Sequence, residues 1–314
     1  MMGLAVGDAL GMPVEFCPVD TTDPIREMRP AVRFDRISRK EIELPAGAWT
    51  DDTSMALCLA DSILTLGSFN SEDQLQRYLK WFRSGYLSAI DQCFGIGPTV
   101  RGVLEAFESG AHSPGDPTAT TNGALMRVSP VGLAYCADSV KAIELSGESS
   151  RTTHKSRESV DACRYMGSLL VGVVNGVRKD ELLSPFFFPG SSRGYWDATP
   201  LCPEIARIAA GSFKLKKPPE INGANEAAST LEAALWAFWE SDNFANGCTM
   251  AVMLGLDTDT TAAVFGAIAG AYYGIDEIPT EWKSAIAKHD IVMEYAERLH
   301  SFSLALESNY RALV

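Results

Sequence analysis

The sequence predicts an all-α fold, and three observations carry that reading. Apolar residues recur at helical spacing over 53–66, 72–82, 99–107, 124–135, 156–174, 225–239 and 259–273. Strand-like alternation is nearly absent. Boundary residues fall where the periodicity starts and stops: Ser71 with Gln74 three positions on, Asp138 ahead of Ser139, and Gly110 and Gly274 at helix ends. At 314 residues the chain is long enough to bury a full core, and one domain over 1–314 is expected.

Taken in order, the first element is a Gly-rich opening, Gly7-Asp8-Ala9-Leu10-Gly11-Met12-Pro13, followed by Glu15. From Pro18 to Gly47, mixed charges and prolines break the periodicity and predict a long surface excursion. Trp49-Thr50-Asp51-Asp52-Thr53 then opens the 53–66 helix. Its aspartates and threonines are good N-caps, and they are equally good hard-oxygen ligands for Mg²⁺, Mn²⁺ or Ca²⁺. Gly95-Ile96-Gly97-Pro98-Thr99 leads into the 99–107 helix and reads as a turn or a phosphate-approaching loop. Thr121-Asn122-Gly123-Ala124-Leu125-Met126-Arg127 places small residues at a turn whose N–H groups can meet an anion.

A second excursion, Leu183 to Gly223, is rich in Pro, Gly and aromatics. Trp236, Phe238 and Trp239 on the next helix read as packing residues. Gly255 precedes Asp257-Thr258-Asp259-Thr260 at the head of an apolar helix, where cap and metal ligand are again both open readings. If the two acidic knots meet, four carboxylates crowd together and need a cation between them. Gly266 and Gly270 on that last helix predict close helix contact behind the knots.

Charge and cysteines narrow the function. A formal net charge of -13 opposes binding to nucleic acid, so any phosphate must be met locally by metal ions or backbone N–H groups. Seven scattered cysteines without a C-x-x-C pair, and no secretory signal, predict a reduced, cytoplasmic chain. The longest apolar run, Thr261 to Tyr273, is too short to span a bilayer. With four histidines and no Cys/His ligand pattern, zinc is disfavoured.

G-D-A-L-G-M-P-V-E, W-T-D-D-T, N-G-A-L-M-R, Thr153-His154, and G-L-D-T-D-T followed by A-I-A-G-A-Y-Y-G stand in the order and spacing of the ADP-ribosylglycohydrolase family, which the chain resembles from Gly3 to Gly274. The resemblance implies a compact orthogonal helical bundle with a binuclear centre of Mg²⁺ or Mn²⁺. It implies Thr50, Asp51, Asp52, Asp257, Asp259 and Thr260 as metal ligands, with Glu15 beside them. It further implies that Gly97 and Thr99 lie near the diphosphate, that Asn122, Gly123, Ala124 and Met126 line the ADP-ribose cleft, and that His154 approaches the distal ribose. A lone histidine is as readily a structural residue.

The implied reaction cleaves the bond at the distal ribose C1, with Glu15, Asp52 or Asp257 as the carboxylates that move protons. An ADP-ribosylated protein or small ADP-ribosyl molecule would be the partner of a monomeric enzyme, arginine-linked ADP-ribose being favoured over serine-linked. An inactive ADP-ribose-binding relative and a calcium-stapled scaffold are the readings from other classes. Four features depart from the family pattern. Met253 and Leu256 replace an Asn and a Gly, Gly95 replaces an Asp, and Asn225-Glu226-Ala227 replaces an aromatic, whose stacking would pass to Tyr195 or Trp196.

Overall fold

The computed structural model describes residues 1–19, 22–35, 39–190 and 194–313, with the side chains of 309–313 left aside. The helices are α1 (Met2–Gly11), α2 (Asp51–Leu66), α3 (Ser71–Ser84), α4 (Pro98–Glu108), α5 (Ser129–Ala134), α6 (Ser139–Arg151), α7 (Arg157–Val174) and α8 (Lys179–Leu182). They continue with α9 (Tyr195–Ala198), α10 (Pro203–Ala209), α11 (Ala227–Glu240), α12 (Phe244–Val252), α13 (Thr258–Tyr273), α14 (Thr280–Ala285) and α15 (His289–Leu313). The mostly helical architecture is the one the periodicity predicts.

The first excursion does hold regular structure. Strands β1 (Ala31–Asp35) and β2 (Lys40–Leu44) form an antiparallel ribbon in which Arg33 faces Ile42 and Phe34 faces Glu41. Five-residue strands with one half-buried face give too little alternation to stand out from a charged loop. The second excursion contains α9 and α10. The expected helix over 124–135 shortens to α5, because Asn122–Ala124 forms a separate 3₁₀ turn ahead of it.

One helix pair positions the site. Helix α13 is buried from Thr258 through Ala269, so it runs through the interior with no solvent face over three turns. Helix α1 crosses it at backbone contact, through Gly3, Gly7 and Gly11 spaced four apart on one face. A Cβ on Gly3 would meet the Gly266 carbonyl, one on Gly7 the Ala262 carbonyl, and one on Gly11 would lie 2.5 Å from the Asp259 backbone. The close contact expected at Gly266 and Gly270 is therefore real, and its partner is α1. Thr258 Oγ1 donates to the Gly11 carbonyl at 2.8 Å, tying the start of α13 to the end of α1.

Candidate active site

The α1–α13 crossing brings acids from three helix ends together. Asp8, on α1, accepts from Thr50 N at 2.9 Å, from Thr53 N at 3.0 Å and from Thr53 Oγ1 at 2.6 Å. It thereby holds the start of α2 from another helix, taking the N–H of its N-cap residue Thr50 and that of Thr53 in its first turn. That leaves the aspartates of α2 itself free to face α13. Carboxylate oxygens of Asp8, Asp52 and Asp259 lie within 4.8 Å of one another, and so do those of Glu15, Asp257 and Asp259. The two triplets share Asp259.

Thr50 Oγ1 donates to Asp52 Oδ2 at 3.1 Å and Thr260 Oγ1 reaches the same oxygen at 3.4 Å, so both threonines sit at the cluster. Asp51 is buried in the same first turn, outside both triplets. Asp257 occupies the N-cap position of α13 with no side-chain cap bond; its Oδ2 accepts from Asn122 Nδ2 at 2.9 Å instead. Capping therefore does not account for that aspartate. Thr50 does cap α2, through a long 3.4 Å bond from Asp52 N.

The electrostatics are unfavourable for a bare cluster. Burial, then repulsion from Glu15 and its neighbours, pushes the Asp51 and Asp259 carboxyls well above the usual range. Burial and repulsion from Asp8 and Asp51 do the same to Asp52. Burial raises Asp8 to about 6 despite its hydrogen bonds. Among the described residues, no Lys or Arg forms a salt bridge with any of Asp8, Asp51, Asp52, Asp257 or Asp259. Asp52 Oδ1 is buried without any hydrogen-bond donor, a cost that a cation bound to that oxygen removes. Hard oxygen donors, crowding and an orphaned carboxylate oxygen all fit divalent cations.

Glu15 stands at the mouth with its side chain 30 % exposed, paired at 3.2 Å with Arg33 of the ribbon. Arg33 also donates to the Glu15 and Met12 carbonyls, so β1 fixes the chain just after α1. Phe16 and Leu256 follow Glu15 and precede Asp257, with φ of 51° and 59°, and Phe16 N donates to the Leu256 carbonyl at 2.6 Å. Gly95 abuts Asp51: at φ 81° a Cβ there would lie 2.6 Å from Asp51 Oδ1, so an aspartate could not replace this glycine without a local shift.

Beside the acids, Asn122 is buried, and its amide bridges Asp257 and Thr230 Oγ1, both at 2.9 Å. Backbone bonds from Asn122 N to Asn225 and from Ala227 N to Thr120 tie this turn to the start of α11. Ala124 and Met126 are buried, while Gly123 is partly exposed. Gly97 and Thr99 flank the half-exposed N-terminus of α4.

His154 is fully buried behind Gly123. Its Nε2 lies 2.9 Å from Thr121 Oγ1 and its Nδ1 2.8 Å from Thr153 Oγ1. Thr153 Oγ1 also accepts from Arg127 at 2.6 Å, so Arg127, Thr153, His154 and Thr121 form one chain of contacts. Burial and the Arg127 charge lower the imidazole to about 3, so the ring is neutral. Both ring nitrogens are thus engaged within the protein.

The rings of the second excursion are occupied as well. Tyr195 stacks on Phe188 with centroids 4.6 Å apart, and Trp196 donates to the Phe187 carbonyl and meets Tyr165. Trp236 and Phe238 are buried, whereas Trp239 is 39 % exposed beneath Lys214, so that ring is only partly a packing residue.

Sequence reasoning missed Asp8 as a member of the cluster. Its signal was present in the glycines at positions 3, 7 and 11, a stripe that commits Asp8's helix to close contact with another and makes a polar residue beside it a buried one. The holding roles of Thr121, Arg127 and Thr230 were also missed: the first two stand in the 121–127 segment that the sequence singled out, but the residues they hold come from elsewhere in the chain.

A helical scaffold that buries an acid-rich, hard-oxygen cluster defines a class of protein whose site is suited to divalent cations. Comparison makes the assignment specific: residues 1–307 match the model of the ADP-ribosylglycohydrolase family, and the chain belongs to that family. It is similar to "ADP-ribosylarginine hydrolase Tri1" of Serratia proteamaculans (strain 568), at 34 % identity over 99 % of this chain and 80 % of the relative. It is also similar to "ADP-ribosylhydrolase ARH3" of Homo sapiens, at 25 % identity over 96 % of this chain and 91 % of the relative. A solved structure described as an ADP-ribosylglycohydrolase-related protein complex superposes with a TM-score of 0.79 at 38 % identity, over 96 % of this chain and 95 % of that one. The chain is a glycohydrolase by family, and no helix of its described residues is long and apolar enough to cross a membrane.

Proposed function

We propose that this protein removes ADP-ribose from modified arginine side chains, holding the distal ribose with two divalent cations, Mg²⁺ or Mn²⁺. The observation that carries the proposal is the pair of acid triplets joined at Asp259, with Asp52 Oδ1 buried and without a donor. Asp8, Asp52 and Asp259 would hold one ion and Glu15, Asp257 and Asp259 the other, with Thr50, Asp51 and Thr260 completing the set. Bound there, the cations would supply Lewis acidity.

The chain's own residues do the rest. Asn122 orients Asp257 through its amide, and Asp8 fixes α2 so that Asp52 faces α13. Glu15, the most exposed acid of the cluster, moves the proton between water and the leaving nitrogen. Crowded carboxylates favour the positive charge that develops on the sugar during cleavage at C1. The backbone N–H groups of Gly97, Thr99 and Gly123 would meet the diphosphate, since Pro98 has none and that of Asn122 is spent on the Asn225 carbonyl. Arginine as the carrier is supported by the relative named for that linkage. Seven free thiols favour the reducing cytoplasm, and we place the enzyme there as a single-domain monomer.

The test is release of ADP-ribose from arginine-linked and serine-linked peptides in parallel, with Mg²⁺, Mn²⁺ or excess EDTA. Turnover of the arginine-linked peptide that EDTA abolishes is expected. Turnover of the serine-linked peptide alone would reassign the linkage. A thermal shift with ADP-ribose but no product would indicate a binding protein. Stabilisation by Ca²⁺ without nucleotide affinity would indicate a scaffold.

A further inference from the structure

Two large apolar side chains stand exposed where the site opens. Phe16 is 58 % exposed and Leu256 47 % exposed, and each is the immediate chain neighbour of a cluster acid, Glu15 and Asp257. Both have left-handed backbone, at φ 51° and 59°, a conformation that bulky residues adopt only under constraint and that glycine adopts freely. Neither gains burial in return. Backbone strain next to a site, kept without a packing gain, points to a role in function.

We propose that Phe16 and Leu256 form an apolar lip that receives the polypeptide carrying the modified side chain, and so favour protein-linked over free ADP-ribosyl substrates. The proposal rests on the functional reading above. The lip is unsuited to phosphate: Phe16 N–H is spent on the Leu256 carbonyl at 2.6 Å and Asp257 N–H on the Gly223 carbonyl at 2.8 Å. Glu15 and Asp257 add negative charge on either flank. The nucleotide therefore takes the polar rim at Gly97–Thr99, and the apolar rim is left for the carrier. A carrier segment whose residues on either side of the modified arginine bring aliphatic stems with cationic heads matches an apolar surface bordered by carboxylates, and free ADP-ribosyl-arginine lacks those neighbours. The 2.6 Å bond runs between backbone atoms, so it survives removal of either side chain and the lip can be tested without opening the loop.

The experiment compares kcat/KM for an arginine-linked ADP-ribosyl protein with that for free ADP-ribosyl-arginine, in the wild type, Leu256→Gly and Phe16→Ala. Loss of one apolar contact should lower the protein-to-small-molecule ratio by roughly 10-fold in each variant, mainly through KM for the protein. Leu256→Gly should melt no lower than the wild type, since it removes an exposed side chain and relieves the backbone. An unchanged ratio, an equal loss on both substrates, or a lower melting temperature with that equal loss would overturn the lip. A wild type that releases nothing from either substrate would overturn the arginine reading itself, and the lip with it.

Discussion

Asp8→Asn gives a quantitative test of the buried acids in the metal-free protein. Asp8 titrates at about 6 in the folded state against an ordinary value of 3.8. The folded state therefore binds this proton more tightly than the unfolded chain does. Its stabilising effect is fully present below about pH 4 and is lost as pH rises through about 6. A gap of about 2 pH units at 1.36 kcal/mol per unit corresponds to about 3 kcal/mol, of which about half is gained on going from pH 7.5 to pH 5.

His154 works in the opposite direction. Its folded value of about 3 lies below the ordinary 6.5, so stability is lost as pH falls below 6.5 while the unfolded chain takes up a proton. The absolute profile mixes these two with Asp51, Asp52 and Asp259, so the difference between wild type and Asp8→Asn reports Asp8 together with the repulsion it exerts on those three. Urea unfolding in EDTA at pH 5 and 7.5 should show the difference moving toward the wild type by about 1.5 kcal/mol at the lower pH. Parallel profiles, or movement the other way, would refute the assignment of a strained, proton-seeking acid at this position. Adding Mg²⁺ should reverse the trend, because protons then compete with the cation.

Other outcomes follow from the same geometry. Asp52→Ala and Asp257→Ala should each abolish ADP-ribose release, while circular dichroism and metal-free melting stay at or above wild type because a repelling charge is removed. Gly7→Ala should destabilise the fold by about 1–3 kcal/mol in chemical unfolding, since its Cβ runs into the Ala262 carbonyl. Gly102→Ala, where a Cβ meets open space in α4, should cost nothing or stabilise slightly. Nitrogen-15 NMR of His154 should show a neutral ring from pH 5 to 8, and an imidazolium signal at pH 6 would contradict its placement.

Seven of the fifteen helices among the described residues, α2, α3, α4, α5, α7, α11 and α13, were legible from apolar spacing at 3.6 residues; α3 and α7 match their expected spans to within two residues. Helix α1 was not assigned in advance, because three glycines in ten residues lower its helix propensity, whereas α13, also buried, is rich in alanine. The β1–β2 ribbon was hidden by its short length and mixed charges. At the site, Thr50, Asp52, Asp257 and Asp259 announced themselves as paired Asp/Thr knots at helix mouths. Asp8 did not, because its importance comes from a helix crossing that only the three-dimensional packing of Gly7 and Gly11 creates. His154 was visible as a residue but not as a buried one: Thr153 is its chain neighbour, but Thr121, on its other ring nitrogen, comes from a separate segment.

Asp259 belongs to both acid triplets, so the central claim can be put to a single titration. Mn²⁺ binding followed by electron paramagnetic resonance should count two ions per wild-type chain and, for folded Asp259→Ala, a loss of affinity at both. One ion or none in the wild type, or two ions held as tightly by Asp259→Ala, would contradict a shared two-cation centre.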